Sequence, residues 1–144
     1  MNNLVLICLL LISTMAFGVD VDREVKEERL PSVIPQAVPV ADWIKAVLKD
    51  DIGLYRTVWS SELFVREGVD AGDLADEDWQ EALDFHKETF ESVFGEYDLA
   101  DFSFRYEGDE KKGAVIVKFK DMEPDKLQVV KDGLEWKLNE VPGE

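Results

Sequence analysis

The hydrophobic repeat of this chain changes period once, at Gly95. Before it, apolar residues recur at helical spacing; after it, they alternate two by two. From Asp78 to Phe94, the residues Trp79, Ala82, Leu83, His86, Phe90, Val93 and Phe94 fall on one arc of a helix. Gln80, Glu81, Asp84, Lys87, Glu88 and Glu91 lie opposite, and Phe85 lies off the stripe. Asp78 and Glu81 have the spacing of a capping box, with Asp in place of Ser or Thr, and Gly95 suits the stop. Helices gathered before one point and strands after it predict an α+β fold with segregated elements rather than alternating βαβ units.

The strand half contains DFSFRYE, GAVIVKFKD and KLQVVKDGLEWKLNEV. Phe102, Phe104 and Tyr106 share one face, as do Val115, Val117 and Phe119. Asp132-Gly133 between two apolar runs predicts a type I′ hairpin, with Leu134, Trp136 and Leu138 on one face of the last strand. The expected sheet is a four-stranded antiparallel meander. The stripe of the 78–94 helix is its natural cover.

Upstream, Trp43, Ile44, Val47 and Leu48 predict a helix capped by Asp42. Ile52, Tyr55, Val58 and Trp59 predict a second after the Asp50-Asp51 break, ending at Ser60-Ser61. Residues 62–67, ELFVRE, read equally as strand or helix, and Gly68 to Asp76 reads as a loop.

The beginning of the chain reads as an export signal. Leu4 to Ile12 is an apolar run, too short for the roughly 20 residues that span a bilayer, and Ala16-Phe17-Gly18 has the form of a signal-peptidase site. The expectation is residues 1–18 as signal, with cleavage after Gly18, and a secreted or periplasmic product without stable membrane insertion. Residues 19–39, charged and then marked by Pro31, Pro35 and Pro39, read as a tether, and residues 40–144 as the domain. The lone cysteine, Cys8, lies within the signal, so the domain must be held by its core rather than by disulfides.

With 32 acidic against 16 basic residues the formal charge is −16, which opposes binding to nucleic-acid phosphates. One histidine and no cysteine in the domain leave no His/Cys metal cluster. The run Asp70 to Asp78 lacks the alternating order of a calcium loop and opens a helix, where acids are favoured. No phosphate loop or nucleophile elbow is present, so no cofactor and no metal are expected.

Three segments carry a family resemblance. WIKAVLKDDIGLYRTVWSSEL resembles a pair of opening helices, GAVIVKFKD a long central strand, and VVKDGLEWKLNEV a closing hairpin. Over about residues 40–141 the chain is similar to the nuclear transport factor 2-like superfamily, also called the cystatin-like fold. The resemblance implies a strongly curved sheet wrapped around a helix, a cone-shaped half-barrel that often holds a pocket. It also implies a candidate homodimer through the outer sheet face, on which Ile116, Val130, Lys118 and Lys120 lie. Members include isomerases, dehydratases, cyclases, transport adaptors and exported domains without known activity, so fold constrains function weakly. Their catalytic sets do not align onto this chain, and none is carried over.

His86 is then the one weak catalytic candidate. A buried imidazole is usually neutral, and could act as acid or base only if a partner oriented it. Tyr55, Trp59, His86, Phe104 and Tyr106 are the candidate pocket residues. The reading that follows is a non-enzymatic exported domain binding a small apolar ligand or a protein partner. The alternatives are a cofactor-free isomerase, dehydratase or cyclase using His86, and a dimerising interaction subunit. The deciding point is whether His86 is enclosed by Trp79, Leu83 and Phe90 or borders a cavity.

Overall fold

The structure is a computed structural model describing residues 34–142. The signal, Gly18 and most of the expected tether lie outside the described residues. Among the described residues four α-helices precede four strands: α1 (Val38–Lys49), α2 (Ile52–Thr57), α3 (Ser61–Glu67), α4 (Asp76–Phe94), β1 (Phe102–Gly108), β2 (Lys112–Phe119), β3 (Asp125–Asp132) and β4 (Glu135–Leu138). Short 3-10 turns lie at Pro35–Ala37, Ala71–Asp73 and Leu99–Asp101. The strands form one antiparallel sheet in the order β1-β2-β3-β4, an open α+β meander.

The first helix begins before the expected Asp42 cap. Pro35 and Pro39 each occupy a first turn, where a missing N–H costs nothing, so these prolines start helical structure rather than prevent it. Residues 35–39 therefore belong to the folded body, and Asp42 lies inside α1. Burial pushes its carboxyl above the usual range. Asp50, in the left-handed region at φ 55°, ends α1, and Asp51 caps α2 by accepting from Leu54 N at 3.0 Å. Ser60 caps α3 in the same way, which resolves residues 62–67 as helix. The long helix starts at Asp76, and the Asp78 carboxylate reaches back to Ala75 N at 2.9 Å.

α1 is buried at seven of its twelve positions, Val40, Trp43, Ile44 and Val47 among them. It packs against β4 and also against α2 and α4. The α4 stripe thus rests chiefly on the other helices and not, as its periodicity suggested, across the sheet. Its last turn meets the strands, where the Phe94 ring lies 5.4 Å from Phe102 and 4.4 Å from Phe119. The physical reason is that α1 has the wider apolar surface, and so takes the interior place between sheet and outer helix.

Register places Phe104 opposite Val117, Val115 opposite Leu127 and Val129 opposite Leu138 on the core face. On the other face Ile116 stands between Arg105 and Lys126. Both cations reach Glu107, at 2.9 and 3.4 Å, so Ile116 is only 6% exposed on the outer side. The face offered to a second copy is therefore charged. The edge of β4 is covered by Val58–Ser60, through Leu138 N to Val58 O at 2.7 Å and Ser60 N to Leu138 O at 2.9 Å.

The β3–β4 turn differs from the expected one. Asp132 pairs with Glu135, so Gly133-Leu134 forms the loop, and Gly133 alone has positive φ, at 70°. That is the pattern of a type II′ turn, not type I′. Leu134 consequently stands in solvent at 94% exposure instead of joining Trp136 and Leu138 on a strand face.

Candidate functional site

The side chains that could recognise a ligand lie between helices. A pocket of about 270 Å³ is bounded by Tyr55, Trp59, Leu63, Phe64, Trp79 and His86, with Glu67 and Val69 among its further lining residues. α2 supplies Tyr55 because Ile52, Tyr55 and the following Val58 share its inward face. The Ser60 cap then turns the chain so that α3 brings Leu63 and Phe64 to the same place. α4 contributes Trp79, Ala82 and His86, spaced by three and four residues along one face. Ala82 is the small residue between two large rings, and the space beside it is part of the pocket.

His86 is both enclosed and at the pocket wall. It is 1% exposed, with Trp43 edge-on at 5.2 Å and Phe90 at 6.4 Å. Its Nδ1 lies 2.8 Å from the Tyr55 hydroxyl. Phenol O–H is the better donor and an imine nitrogen the better acceptor. This pairing puts Tyr55 as donor and leaves the imidazole proton on Nε2. Burial pushes the His86 pKa down to about 4, so the ring is neutral at neutral pH.

That arrangement is poorly suited to proton transfer. A base whose conjugate acid ionises near pH 4 accepts protons weakly at pH 7. Among the described residues no carboxylate is hydrogen-bonded to His86, so nothing would stabilise an imidazolium. Arg56, a cation beside the pocket wall, lies over the Trp79 ring at 5.8 Å and is tied to Asp76 at 2.6 Å.

Polar groups within this aromatic cluster are unevenly satisfied. His86 Nε2 and the indole Nε1 atoms of Trp43, Trp59 and Trp79 are buried without a hydrogen-bond partner among the described residues. Native structures satisfy the great majority of such groups.

The five residues expected at the site divide in two. Tyr55, Trp59 and His86 come together at the pocket. Phe104 and Tyr106 do not line it, because the pocket lies between α2, α3 and α4 and not between helix and sheet. Phe104 is buried in the sheet core, and Tyr106 packs on Trp136 at 5.5 Å and donates to Asp109 O at 2.5 Å. Leu63 and Phe64 are lining residues that the periodicity did not single out, and Ala82, on the predicted arc, was not among the residues expected at the pocket. The i, i+3, i+7 set Trp79, Ala82, His86 was the available signal.

Other concavities carry less chemistry. A groove of about 530 Å³ beside Lys87, Glu91, Asp98 and Lys120 is lined by charged side chains of both signs. The acids of 70–78 are used locally: Asp70 accepts from Gly72 N, Asp76 from Arg56, and Asp78 from Ala75 N. Among the described residues no group of three His, Cys, Asp or Glu side chains could hold a metal, and no helix is long and apolar enough to cross a membrane. No protein-family model matches the chain, and comparison with the curated proteins and with the solved structures found no match.

Proposed function

We propose that this protein is a non-enzymatic binding domain that holds one small, mainly apolar molecule between α2, α3 and α4. The observation that carries the reading is the pocket of about 270 Å³ walled by Tyr55, Trp59, Phe64 and Trp79. Its size is slightly below the usual range for small-molecule sites, about 300–1,000 Å³. A water occupies about 30 Å³ of liquid volume, so the pocket suits a single ring or a short chain. Export to the periplasm or medium belongs to the same proposal and rests on the residues 1–18 pattern. Membership of the nuclear transport factor 2-like superfamily is likewise proposed, on the order of helices followed by a meander and on the closing hairpin. The weak basicity of His86 favours binding over catalysis, and the charged outer face of the sheet favours a ligand in the pocket over a dimer.

The test combines native mass spectrometry of protein from its own source with toluene binding followed by tryptophan fluorescence. Retained small-molecule mass or saturable toluene binding is expected for the natural chain, and loss of both in Ala82→Leu, which fills the space between Trp79 and His86. A natural chain that retains nothing and binds toluene no better than Ala82→Leu rules the reading out.

A further inference from the structure

The pocket has an apolar wall, and its buried unmatched polar groups are all of one kind. Trp59, Trp79 and His86 line it, and each carries a ring nitrogen buried without a partner among the described residues. All three side chains are at least nine-tenths buried, at 9%, 7% and 1% exposure. An indole nitrogen can only donate. His86 Nε2 also donates, because the Tyr55 hydroxyl occupies Nδ1 at 2.8 Å. The buried wall therefore holds N–H donors, and the Glu67 carboxylate, the acceptor side chain among the lining residues, belongs to the exposed rim.

We infer that the ligand is an uncharged molecule with an apolar body and one hydrogen-bond acceptor oxygen, of the ketone, ester or ether class, taken up by the N–H groups of His86, Trp59 or Trp79. This deepens the proposed binding function and rests on it.

Three physical points separate this class from its neighbours. A pure hydrocarbon would fill the pocket and leave the donors unmet, each at a free-energy cost. An anion would meet the donors, but it would be desolvated beside a neutral imidazole in a chain of formal charge −16. Arg56, the nearby cation, is already engaged by Asp76. A cation would find aromatic faces, and a carboxylate only at the exposed rim in Glu67, but inside the pocket it would meet N–H groups presenting positive hydrogens.

The experiment titrates the ¹⁵N-labelled full chain at pH 7 with cyclohexanone, with methylenecyclohexane of the same shape, and with cyclohexanecarboxylate. The methyl signals of Ala82, Leu63 and Val141 report occupancy of the pocket. The four indole N–H signals and the His86 ring nitrogens report hydrogen bonding. Cyclohexanone is expected to bind about tenfold more tightly than methylenecyclohexane, the worth of one hydrogen bond to a buried donor. It alone should move Trp59, Trp79 or His86 N–H signals downfield, and the carboxylate should leave all signals in place. Tyr55→Phe should reduce the ketone preference, because His86 loses the bond that fixes its proton on Nε2; Trp79→Phe provides a second variant that keeps the aromatic wall. Equal binding of ketone and hydrocarbon with unmoved N–H signals overturns this inference and leaves the binding reading intact. Preferential binding of the carboxylate also overturns it. Binding of none of the probes overturns the binding reading and this inference with it.

Discussion

Tyr55 on α2 and His86 on α4, 31 residues apart in sequence, share a buried hydrogen bond of 2.8 Å from the Tyr55 hydroxyl to the His86 Nδ1. The bond joins two helices and sets the tautomer of the only histidine. It also gives the polar end of each ring a partner in an otherwise aromatic cluster that includes Trp43, Trp59 and Phe90. Position in the fold and chemical character are thus fixed by one contact.

Tyr55→Phe is expected to destabilise the protein by about 1–3 kcal/mol, since it leaves a buried acceptor at Nδ1 without its donor. His86→Leu removes the same bond from the other side and replaces the ring by an apolar group. The double variant should be less destabilised than the two single losses added together, with a coupling of about 1 kcal/mol. Urea unfolding of the four proteins, followed by tryptophan fluorescence, measures this. Additive losses would mean that the two rings pack side by side without a stabilising bond.

The depressed pKa of His86 predicts acid sensitivity in a defined window. The folded value is about 4 and the ordinary value 6.5. Between those values the unfolded chain binds a proton that the folded chain refuses, so stability falls as pH falls from 6.5 toward 4. The full effect of such a shift is about 3 kcal/mol. Asp42 and Asp125 act in the opposite sense, because burial raises their carboxyl pKa values and protonation relieves that cost. The His86 contribution is isolated as the difference in slope between the natural chain and His86→Leu. A ring titration by NMR with its midpoint at 6.5 would contradict the enclosed geometry.

The period change at Gly95 made the fold class legible, and the spacing of Trp79, Leu83, His86 and Phe90 located the α4 stripe correctly. What that stripe packs against was not legible, because periodicity gives the buried face of a helix and not the neighbour that buries it. α1 took the central place, since Val40, Ala41, Ile44 and Val47 leave it little solvent-facing surface. The same displacement explains the site. Tyr55, Trp59 and His86 meet because all three lie on helices, while Phe104 and Tyr106 stay with the sheet. The start of α1 was misread because a proline resists a helix interior but fits a first turn, and spacing alone does not separate the two cases.

A second buried network ties α3 to the end of β4. Ser60 Oγ accepts from Leu63 N at 3.0 Å and donates to Asn139 Oδ1 at 2.7 Å, and Asn139 Nδ2 donates to Glu62 at 2.9 Å. Arg66 also donates to Asn139 O. Ser60→Ala removes a helix cap and leaves Asn139 Oδ1 unmatched. The expected loss is about 2 kcal/mol. Amide exchange at Leu138 and Ser60, whose hydrogen bonds cover the β4 edge, should accelerate with it. Unchanged exchange at these two amides would show that the covering strand holds without the side-chain network.

Two glycines in the sheet turns should respond differently to alanine. Gly113 pairs with Gly108 across the β1–β2 hairpin, and a Cβ on it would stand 2.5 Å from the Tyr106 hydroxyl and closer still to Glu107 O. Gly133 has open space around a Cβ but needs φ 70°. Gly133→Ala should therefore cost about 1 kcal/mol, the strain of the left-handed region alone. Gly113→Ala must displace backbone and should cost about 2 kcal/mol or more. Tyr106→Phe in the Gly113→Ala background should recover only part of the loss, because it frees the hydroxyl position and leaves the Glu107 carbonyl in place. Thermal unfolding of the three variants ranks these costs, and a Gly113→Ala protein as stable as the natural one would show that the hairpin does not close as tightly as Gly108 and Gly113 allow.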